Sequence, residues 1–196
     1  MKVEKQMIKG LLRGPLASKH IALLGPSGSG KTTITRGDPQ SILNIKPETY
    51  AMSISAATRV RRENEKHGID YFFMKEESFR NCLFLETNEY DGNNKLYGTL
   101  YSEAERIILR ENKAMLLDID INGAIQLNEI FKVELFSVFL RTPLGTLYDR
   151  LMKRRITTGE TEEQISKRID AAKIEYKKID DKIFVPNLID RKSTRL

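Results

Sequence analysis

The sequence predicts an α/β fold in which a parallel β-sheet is flanked by helices. Apolar segments of strand length alternate with helical segments along the chain, and this alternation favours a parallel sheet covered on both faces. Residues 55–99 break the alternation, because they contain short strand segments separated by clusters of turn residues. We therefore predict a strand-rich subdomain inserted into the α/β core.

The core begins with a strand, a glycine-rich loop and a short helix. Residues 20–24 form an apolar run of the buried-strand type. The helix that begins at Lys31 is expected to end near Arg36, because the Gly-Asp-Pro sequence at residues 37–39 disfavours helix. Further strands are predicted at residues 50–55, 71–73 and 82–86, with a helical turn at residues 76–81.

The second half of the chain contains three predicted helices. Ser102 and Glu105 match a capping box, which predicts a helix that ends near residue 112. Pro143 suits the first turn of a helix that extends to about residue 155. Thr161 and Gln164 form a second capping box, before a helix that extends to about residue 179. Strands are predicted at residues 114–119 and 135–140, and residues 182–185 complete the series.

Length and composition place the chain among globular proteins. Its 196 residues, 40% hydrophobic and 31% charged, fit one domain with an inserted subdomain. No apolar stretch has the length of a membrane span, and the first residues lack the apolar region of a secretory signal. Cys82 is the single cysteine, and we expect it to be a small buried side chain. A cytoplasmic protein without a membrane partner is expected.

The net charge of +6 is concentrated at the two ends of the chain. The first 20 residues carry five basic and one acidic side chain, the last seven carry three basic and one acidic, and residues 21–189 are neutral overall. The charge therefore gives little support to a nucleic-acid partner, and we expect none. We interpret residues 1–19 as a basic extension, with an amphipathic helix and a targeting segment as alternatives.

Residues 25–32 read G-P-S-G-S-G-K-T and match the phosphate-binding loop pattern G-x-x-x-x-G-K-[ST] at every fixed position. Glycines let successive backbone N–H groups turn towards an anion, and the helix that follows adds further donors. Lys31 is expected to reach the β- and γ-phosphates, and the Thr32 hydroxyl to ligate Mg²⁺. The sequence thus predicts a P-loop NTPase-type sheet with an ATP site made by Gly25, Pro26, Ser27, Gly28, Ser29, Gly30, Lys31, Thr32 and Thr33.

Several ordered segments resemble the guanylate kinase family. Residues 53–73 read SISAATRVRRENEKHGIDYFF, similar to the family pattern S-x-S-x-T-T-R-x-x-R-x-G-E-x-x-G-x-D-Y-x-F. The resemblance covers about residues 20–189 and implies phosphoryl transfer from ATP to GMP, with Mg²⁺, for purine nucleotide metabolism. It also implies that the insertion at about residues 55–99 binds the monophosphate and that about residues 150–168 form a helical lid. Further matching segments lie at residues 84–86, 92–99, 117–120 and 158–163.

The resemblance implies a GMP site in the inserted subdomain. Arg59 and Arg62 carry forked donors that suit a monophosphate, which is nearly a dianion. Glu86 matches the family residue that accepts the N–H and NH₂ groups of guanine. Adenine cannot make this pair of hydrogen bonds, so discrimination is expected to be steep, although dGMP and a relaxed purine choice stay open. The residues implied in GMP binding are Ser55, Arg59, Arg62, Tyr71, Glu86, Tyr97, Thr99 and Asp120.

The phosphoryl-transfer groups implied by the resemblance are mostly cationic. Arg150 and Arg154 are four residues apart and share a helix face, and Arg168 follows in the next helix. All three match arginines of the family's lid and, with Lys31, are expected to stabilise charge on the transferred phosphoryl group. Asp118, at the end of a buried strand, is expected to bind Mg²⁺ together with Thr32.

The chain departs from the family pattern in several places. Ala57 and Asn64 stand where the family has Thr and Gly, and residues 91–96 make a longer connection before Tyr97. Residues 190–196 are similar to a translated sequencing adapter, so we expect a non-native tail in place of the family's C-terminal helix. A catalytically inactive interaction module is the alternative function, and the intact loop and lid arginines argue against it. We expect a monomer or a weak dimer.

Overall fold

The structure is a computed structural model that describes residues 20–36, 46–90, 95–131 and 135–190. Its core is a sheet of five strands in the order β2-β7-β1-β8-β9, and every pairing in this sheet is parallel. This arrangement confirms the predicted α/β class. The strands of the core sheet are β1 Ile21–Leu24, β2 Tyr50–Met52, β7 Ala114–Asp118, β8 Phe136–Leu140 and β9 Leu188–Asp190.

The last strand of the core sheet was wrongly placed at residues 182–185. That segment is a turn in which the N–H of Ile183 bonds to the carbonyl of Lys178, as part of the end of the preceding helix. The chain adds to the sheet only afterwards, where β9 pairs with β8 from Leu188 to Asp190. The remainder of the predicted tail, residues 191–196, and the extension, residues 1–19, lie outside the described residues.

A second sheet of four strands, in the order β4-β3-β6-β5, forms the inserted unit. Residues 50–55 are therefore not one strand, because β2 belongs to the core sheet and β3 to the second sheet, with a break at residues 53–54. The strand predicted at residues 82–86 is longer and begins later. The strands of the second sheet are β3 Ser55–Ala57, β4 Phe72–Phe73, β5 Phe84–Tyr90 and β6 Lys95–Leu100, and helix α2 Glu76–Arg80 precedes β5.

Cys82 is half-buried, which corrects the expectation that it is buried. It follows the last turn of α2, where its thiol donates to the carbonyl oxygen of Ser78 at 3.3 Å. Its side chain packs at the margin of a small apolar cluster formed by Ala56, Phe79 and Leu100.

The capping box predicted at Ser102 is absent, and the helix starts earlier. β6 ends at Leu100, which is the N-cap residue, so that helix α3 Tyr101–Ala104 begins directly after the strand and continues as a π-helix over Glu105–Arg110. The residue after Ser102, Glu103, has a buried carboxylate that accepts a hydrogen bond from the backbone N–H of Ile54, at 2.8 Å. α3 is thereby attached to the connection between the two sheets.

Three longer helices cover the core sheet. Helix α5 Leu144–Thr158 has Pro143 as its N-cap residue, and helix α6 Glu162–Asp180 begins with the predicted Thr161–Gln164 capping box, which is confirmed. Helix α4 Ile121–Phe131 has no counterpart among the predicted elements. It is capped by Asp120, which accepts the N–H of Gly123 at 2.8 Å. The short helix α1 Lys31–Arg36 follows β1 as predicted.

Successive residues of the strands point to opposite faces of the core sheet, as strand geometry requires. Ala22, Leu117 and Phe139 belong to the larger apolar cluster, together with residues of α3 to α6. Leu23 and Leu116 belong to a second cluster, with Ile34 of α1. Both faces are thus apolar, which is typical of a buried parallel sheet. No helix of the described part of the chain is long and apolar enough to cross a membrane.

Phe139 provides a test of this core. It is fully buried and meets Tyr176 edge to face, at 5.9 Å between ring centroids. We expect Phe139→Ala to lower the free energy of unfolding by about 3–5 kcal/mol, because the substitution leaves a cavity. The matched control is Phe136→Ala on the same strand, since Phe136 is 46% exposed, and it should change stability by about 0.5 kcal/mol. Urea unfolding of both variants is the measurement, and equal losses would contradict the assignment of the core.

Candidate active site

An open cavity of about 1100 Å³ lies between the two sheets and helices α5 and α6. Most residues predicted as site residues line it, including Ser55, Asp118 and Asp120. Gly25, Pro26 and Thr99 do not line it, because they are buried behind its wall. The structure therefore brings the predicted groups of both substrate sites to one cleft.

The glycine-rich loop leaves the carboxyl end of β1 in a backbone conformation that requires glycine. Gly25 has φ +140°, and a Cβ atom there would lie 2.9 Å from the carbonyl oxygen of Leu140 on the neighbouring strand. The loop is anchored by Thr142, whose hydroxyl donates to the carbonyl oxygen of Ser29 at 3.2 Å. Lys31 turns back over the loop and donates to the carbonyl oxygens of Gly25 and Pro26.

Lys31, Thr32 and Asp118 lie at the same edge of the core sheet. The Lys31 ammonium is 3.9 Å from the Asp118 carboxylate, because Asp118 ends β7 beside Leu23 of β1. Thr32 is exposed in the first turn of α1. Within the described residues, no three His, Cys, Asp or Glu side chains are grouped closely enough to hold a metal ion by themselves.

Arginines from α5 and α6 reach across the cleft to the loop. Arg150 donates to the carbonyl oxygen of Gly28 at 3.2 Å. Arg154 and Arg168 each lie close to the hydroxyl of Ser27, at 3.4 and 3.3 Å. Burial lowers the pKa of the Arg154 guanidinium. The three predicted arginines are thus brought together at the glycine-rich loop, although they come from two helices.

Arg59 is held by a carboxylate that was not among the predicted site residues. Its guanidinium makes two hydrogen bonds to Glu65, at 2.6 and 2.5 Å, and lies over the ring of Tyr71 at 5.1 Å. Burial alone would raise the pKa of Glu65, but hydrogen bonds from Arg59 and from the Arg62 backbone N–H, with the charges of both arginines, hold it below its usual value. The family pattern quoted in the sequence analysis has a glutamate at the position of Glu65, and this match could have identified the residue.

Tyr71 and Tyr97 stand beside Arg59 in the second sheet. Their rings meet edge to face with centroids 6.0 Å apart, so the longer connection before Tyr97 does not separate the pair. Burial raises the pKa of Tyr71 to about 12, and the phenol is therefore a hydrogen-bond donor at neutral pH.

Glu86 is a buried carboxylate, and among the described residues it makes no ion pair with an arginine or lysine. One of its oxygens accepts both the N–H and the hydroxyl of Thr99, at 2.9 and 2.7 Å. The other oxygen faces Gly123 in the first turn of α4, where a Cβ atom would lie 2.7 Å away. Burial raises the pKa of Glu86 to about 7, against the hydrogen bonds from Thr99, and Asp120 raises it further.

Asp120 has a structural task in addition to its place at the cleft. It caps α4 and accepts a hydrogen bond from the Asn88 side chain of β5, and it thereby holds α4 against the second sheet. Sequence reasoning missed Asn88 and Gly123, whose importance comes from contacts between distant segments. It also missed Glu175 of α6, a buried carboxylate whose pKa burial raises to about 7.

Glu160 lies between α5 and α6 among three arginines. Its carboxylate is 2.6 Å from Arg168, 3.4 Å from Arg154 and 3.6 Å from Arg62. Burial would raise its pKa, but the charges of these arginines and a hydrogen bond from Thr158 hold the pKa of Glu160 below its usual value. Glu160 belongs to one of the matching family segments, but the sequence assigned it no role.

The parallel sheet and the glycine-rich loop at its edge define an α/β protein of the P-loop nucleotide-binding class. The family model described as guanylate kinase matches residues 17–196. The chain therefore belongs to the guanylate kinase family.

Relatives of known name agree with this assignment. The guanylate kinase of Malacoplasma penetrans is 40% identical over 164 residues, which are 81% of this chain and 79% of that protein. The guanylate kinase of Bacillus subtilis is 37% identical over 165 residues, 82% of this chain and 76% of that protein. With the guanylate kinase of Mycoplasma genitalium the identity is 38% over 81% of this chain, but the match spans only 64% of that protein.

The crystal structure of guanylate kinase from Anaplasma phagocytophilum has a similar fold. Its TM-score against this chain is 0.58, with 22% sequence identity, and the match covers 88% of this chain and 76% of that one. At this identity the likeness concerns the fold alone.

The raised pKa of Glu86 leads to a prediction about stability. Between pH 4.5, its ordinary value, and about 7, the folded protein holds a proton that the unfolded chain has released. The free energy of unfolding should therefore fall as pH rises through this window, by about 1.4 kcal/mol per pH unit from this group. Glu86→Gln removes this contribution, so the variant should gain stability relative to the parent protein from about pH 5 to pH 7. Urea unfolding across this range is the measurement.

The comparison between variant and parent isolates Glu86. Glu175 contributes in the same direction, but it is present in both proteins and cancels in their difference. Identical slopes of unfolding free energy against pH in the two proteins would contradict the raised pKa of Glu86.

Proposed function

We propose that this protein transfers the γ-phosphate of ATP to GMP, and in the same site to dGMP, giving ADP and the nucleoside diphosphate. The observation that carries the proposal is the arrangement of one cleft, with the phosphate-binding loop on one side and the buried carboxylate of Glu86 on the other. Arginines of α5 and α6 line the same cleft and contact the loop. Such an arrangement suits transfer between two bound nucleotides, since it holds donor and acceptor in a fixed geometry.

The ATP site is proposed at the loop, with residues 25–33 around the triphosphate and Lys31 at its β- and γ-phosphates. The Thr32 hydroxyl and the Asp118 carboxylate are oxygen donors at the same sheet edge, which fits Mg²⁺. Mg²⁺ typically takes few protein ligands and completes its shell with water and phosphate oxygens. When bound, it would neutralise charge on the phosphates.

The GMP site is proposed in the second sheet. Arg59 and Arg62 would bind the monophosphate, with Tyr71 and Tyr97 as hydroxyl donors. The guanine base would donate its N–H and NH₂ groups to the carboxylate of Glu86. Ser55, Thr99 and Asp120 complete the base site, with Thr99 acting through its two hydrogen bonds to Glu86.

Phosphoryl transfer in this cleft relies on positioning and on positive charge. Arg150, Arg154 and Arg168 contact the loop and are proposed as the catalytic arginines, together with Lys31. No base is needed to remove a proton, because the accepting phosphate oxygen is already ionised. Residues 150–168 would act as a lid that excludes water and limits hydrolysis of ATP.

The intact loop and its contacts with three arginines argue against an inactive interaction module. Since residues 21–189 are neutral overall, a nucleic-acid partner has no support from charge. We propose a cytoplasmic enzyme that acts as a monomer or weak dimer on the small molecules ATP and GMP.

A coupled assay of ADP release tests the proposed reaction. With Mg²⁺-ATP, we expect turnover with GMP and dGMP, and little with AMP, UMP or no acceptor. Lys31→Ala should lower kcat by about 10²–10³-fold, because it removes a cation from the charge that develops on the phosphates. Lys153→Ala is the matched control, since Lys153 is exposed on α5, and it should leave kcat unchanged.

Absence of turnover with every acceptor, in protein shown to be folded, would contradict the proposed kinase activity. Equal turnover with GMP and AMP would leave a kinase but contradict the role of Glu86.

Gly123→Ala tests the proposed base site without changing any polar group. The new Cβ atom would lie 2.7 Å from the Glu86 carboxylate and must push it aside. The KM for GMP should rise about 10- to 100-fold, because a hydrogen bond to a charged group contributes about 1.5–3 kcal/mol. The KM for ATP should stay unchanged. Steady-state kinetics with each substrate varied in turn is the measurement.

Gly145→Ala provides the control. Gly145 lies in the first turn of α5, and a Cβ atom there would meet no atom within 4 Å. It should leave both KM values unchanged. If Gly123→Ala left the KM for GMP unchanged as well, the base site would not be at Glu86.

A further inference from the structure

We propose that Glu160 is a positioning residue for phosphoryl transfer, which links helices α5 and α6 to the segment that carries Arg62. This inference rests on the proposed function, but it concerns a residue that binds neither substrate. Its carboxylate lies behind the arginines of the cleft and determines where their remaining N–H groups point.

The backbone at Glu160 is fixed from both sides. The preceding residue, Gly159, caps the end of α5 with φ +67°, and its N–H bonds to the carbonyl of Arg155 at 2.9 Å. The following residue, Thr161, is the N-cap of α6 and is held by the reciprocal hydrogen bonds of its capping box with Gln164. Because the ends of two helices fix the backbone at Glu160, its side chain leaves the backbone in a defined direction.

The carboxylate of Glu160 is used by both helices. Arg168 of α6 donates to one oxygen at 2.6 Å, and Arg154 of α5 lies 3.4 Å from the other. Thr158 donates its hydroxyl to the second oxygen at 3.0 Å. The side chain of Glu160 is only 11% exposed, so these ion pairs are screened less than surface pairs.

The same two arginines also reach the phosphate-binding loop. Arg154 and Arg168 each lie near the hydroxyl of Ser27 while they contact Glu160. Arg168 uses two different nitrogens, Nη1 towards Ser27 and Nη2 towards Glu160, so its guanidinium spans the distance from Glu160 to the loop. Arg154 approaches both groups through its Nη2 atom. Because a guanidinium is planar with donors in fixed directions, anchoring one edge to a carboxylate orients the other edge.

Arg62 extends the cluster to the second sheet. Its guanidinium is 3.6 Å from Glu160 and also 3.6 Å from Glu65, the carboxylate that holds Arg59. Arg62 thus lies between a carboxylate of its own segment and a carboxylate of the opposite helices. Attraction between Arg62 and Glu160 draws the segment of Arg62 towards helices α5 and α6. This approach would bring a GMP phosphate bound at Arg62 close to the arginines of these helices.

Kinetics and a distance measurement on Glu160→Gln test this proposal. Glutamine keeps the shape of the side chain but removes its charge. We expect kcat with GMP to fall about 10- to 100-fold, because a misplacement of about 1 Å can lower a rate by 10²-fold, while the KM for ATP stays close to that of the parent protein. The matched control is Glu162→Gln, since Glu162 pairs with Arg155 at 2.6 Å but is 69% exposed. Equal kinetic effects of the two variants would overturn the proposal.

Energy transfer between dyes gives a readout that does not require activity. Val60 belongs to the segment that carries Arg59 and Arg62, and Ile156 belongs to α5. They are 84% and 88% exposed, so they can be replaced by cysteine and labelled in a Cys82→Ser background. Without nucleotides, Glu160→Gln should lower the transfer efficiency, and Glu162→Gln should not. An unchanged efficiency in Glu160→Gln would overturn the link, whatever the kinetics of the protein.

Thr158→Val supplies a second, milder variant that retains every charge. It removes one hydrogen bond to Glu160, and we expect effects on kcat and transfer efficiency in the same direction but smaller. Thermal unfolding of each variant identifies any loss that comes from stability alone, since a purely structural role would lower the unfolding midpoint without opening the cleft. Failure of the parent protein to use GMP would refute the proposed function, whereas the dye measurement would still decide the link.

Discussion

Parallel pairing of β1, β7 and β8 is the constraint on which the site depends, because it places the carboxyl ends of three strands at one edge of the core sheet. The glycine-rich loop leaves β1 at this edge, Asp118 ends β7 there, and Thr142 follows β8. The Thr142 hydroxyl then holds the loop through Ser29. The glycine-rich loop, the Asp118 carboxylate and the Thr142 anchor of the loop therefore come together although more than 80 residues separate some of them.

The cleft region contains two kinds of carboxylate, which differ in their neighbouring side chains. Glu65 and Glu160 face arginines, which hold the pKa of each below its ordinary value, and we propose that they orient guanidinium groups. Glu86 has no arginine or lysine partner in the part of the chain that the structure describes, and burial raises its pKa to about 7. A buried carboxylate without a cationic partner is costly for the fold, and this cost is typical of a group reserved for a ligand. The same side-chain chemistry thus serves positioning or recognition according to its neighbours.

The second sheet is attached to the core by a few polar contacts, and these contacts lie beside the proposed GMP site. Glu103 holds the connection between β2 and β3 through the Ile54 N–H. Asp120 and Asn88 join the start of α4 to β5, where Gly123 leaves room for the Glu86 carboxylate. Substitutions at these contacts are expected to move recognition groups more than they change the apolar core, because the contacts are polar and lie at the margin of the packed clusters.

The sequence alone determined features that depend on neighbouring residues. The phosphate-binding loop, the strand before it and the Thr161–Gln164 capping box are local, and the structure has them where the sequence predicts them. Features set by distant contacts were beyond the sequence. The capping box predicted at Ser102 does not form, because β6 leads directly into α3. The last strand was predicted too early in the chain, because only its pairing with β8 defines its position. The ion pair between Glu160 and Arg62 and the close approach of the Glu86 carboxylate to Gly123 were decided by the tertiary structure. Each contact joins two distant segments, and their separation along the chain carries no information about their distance in space.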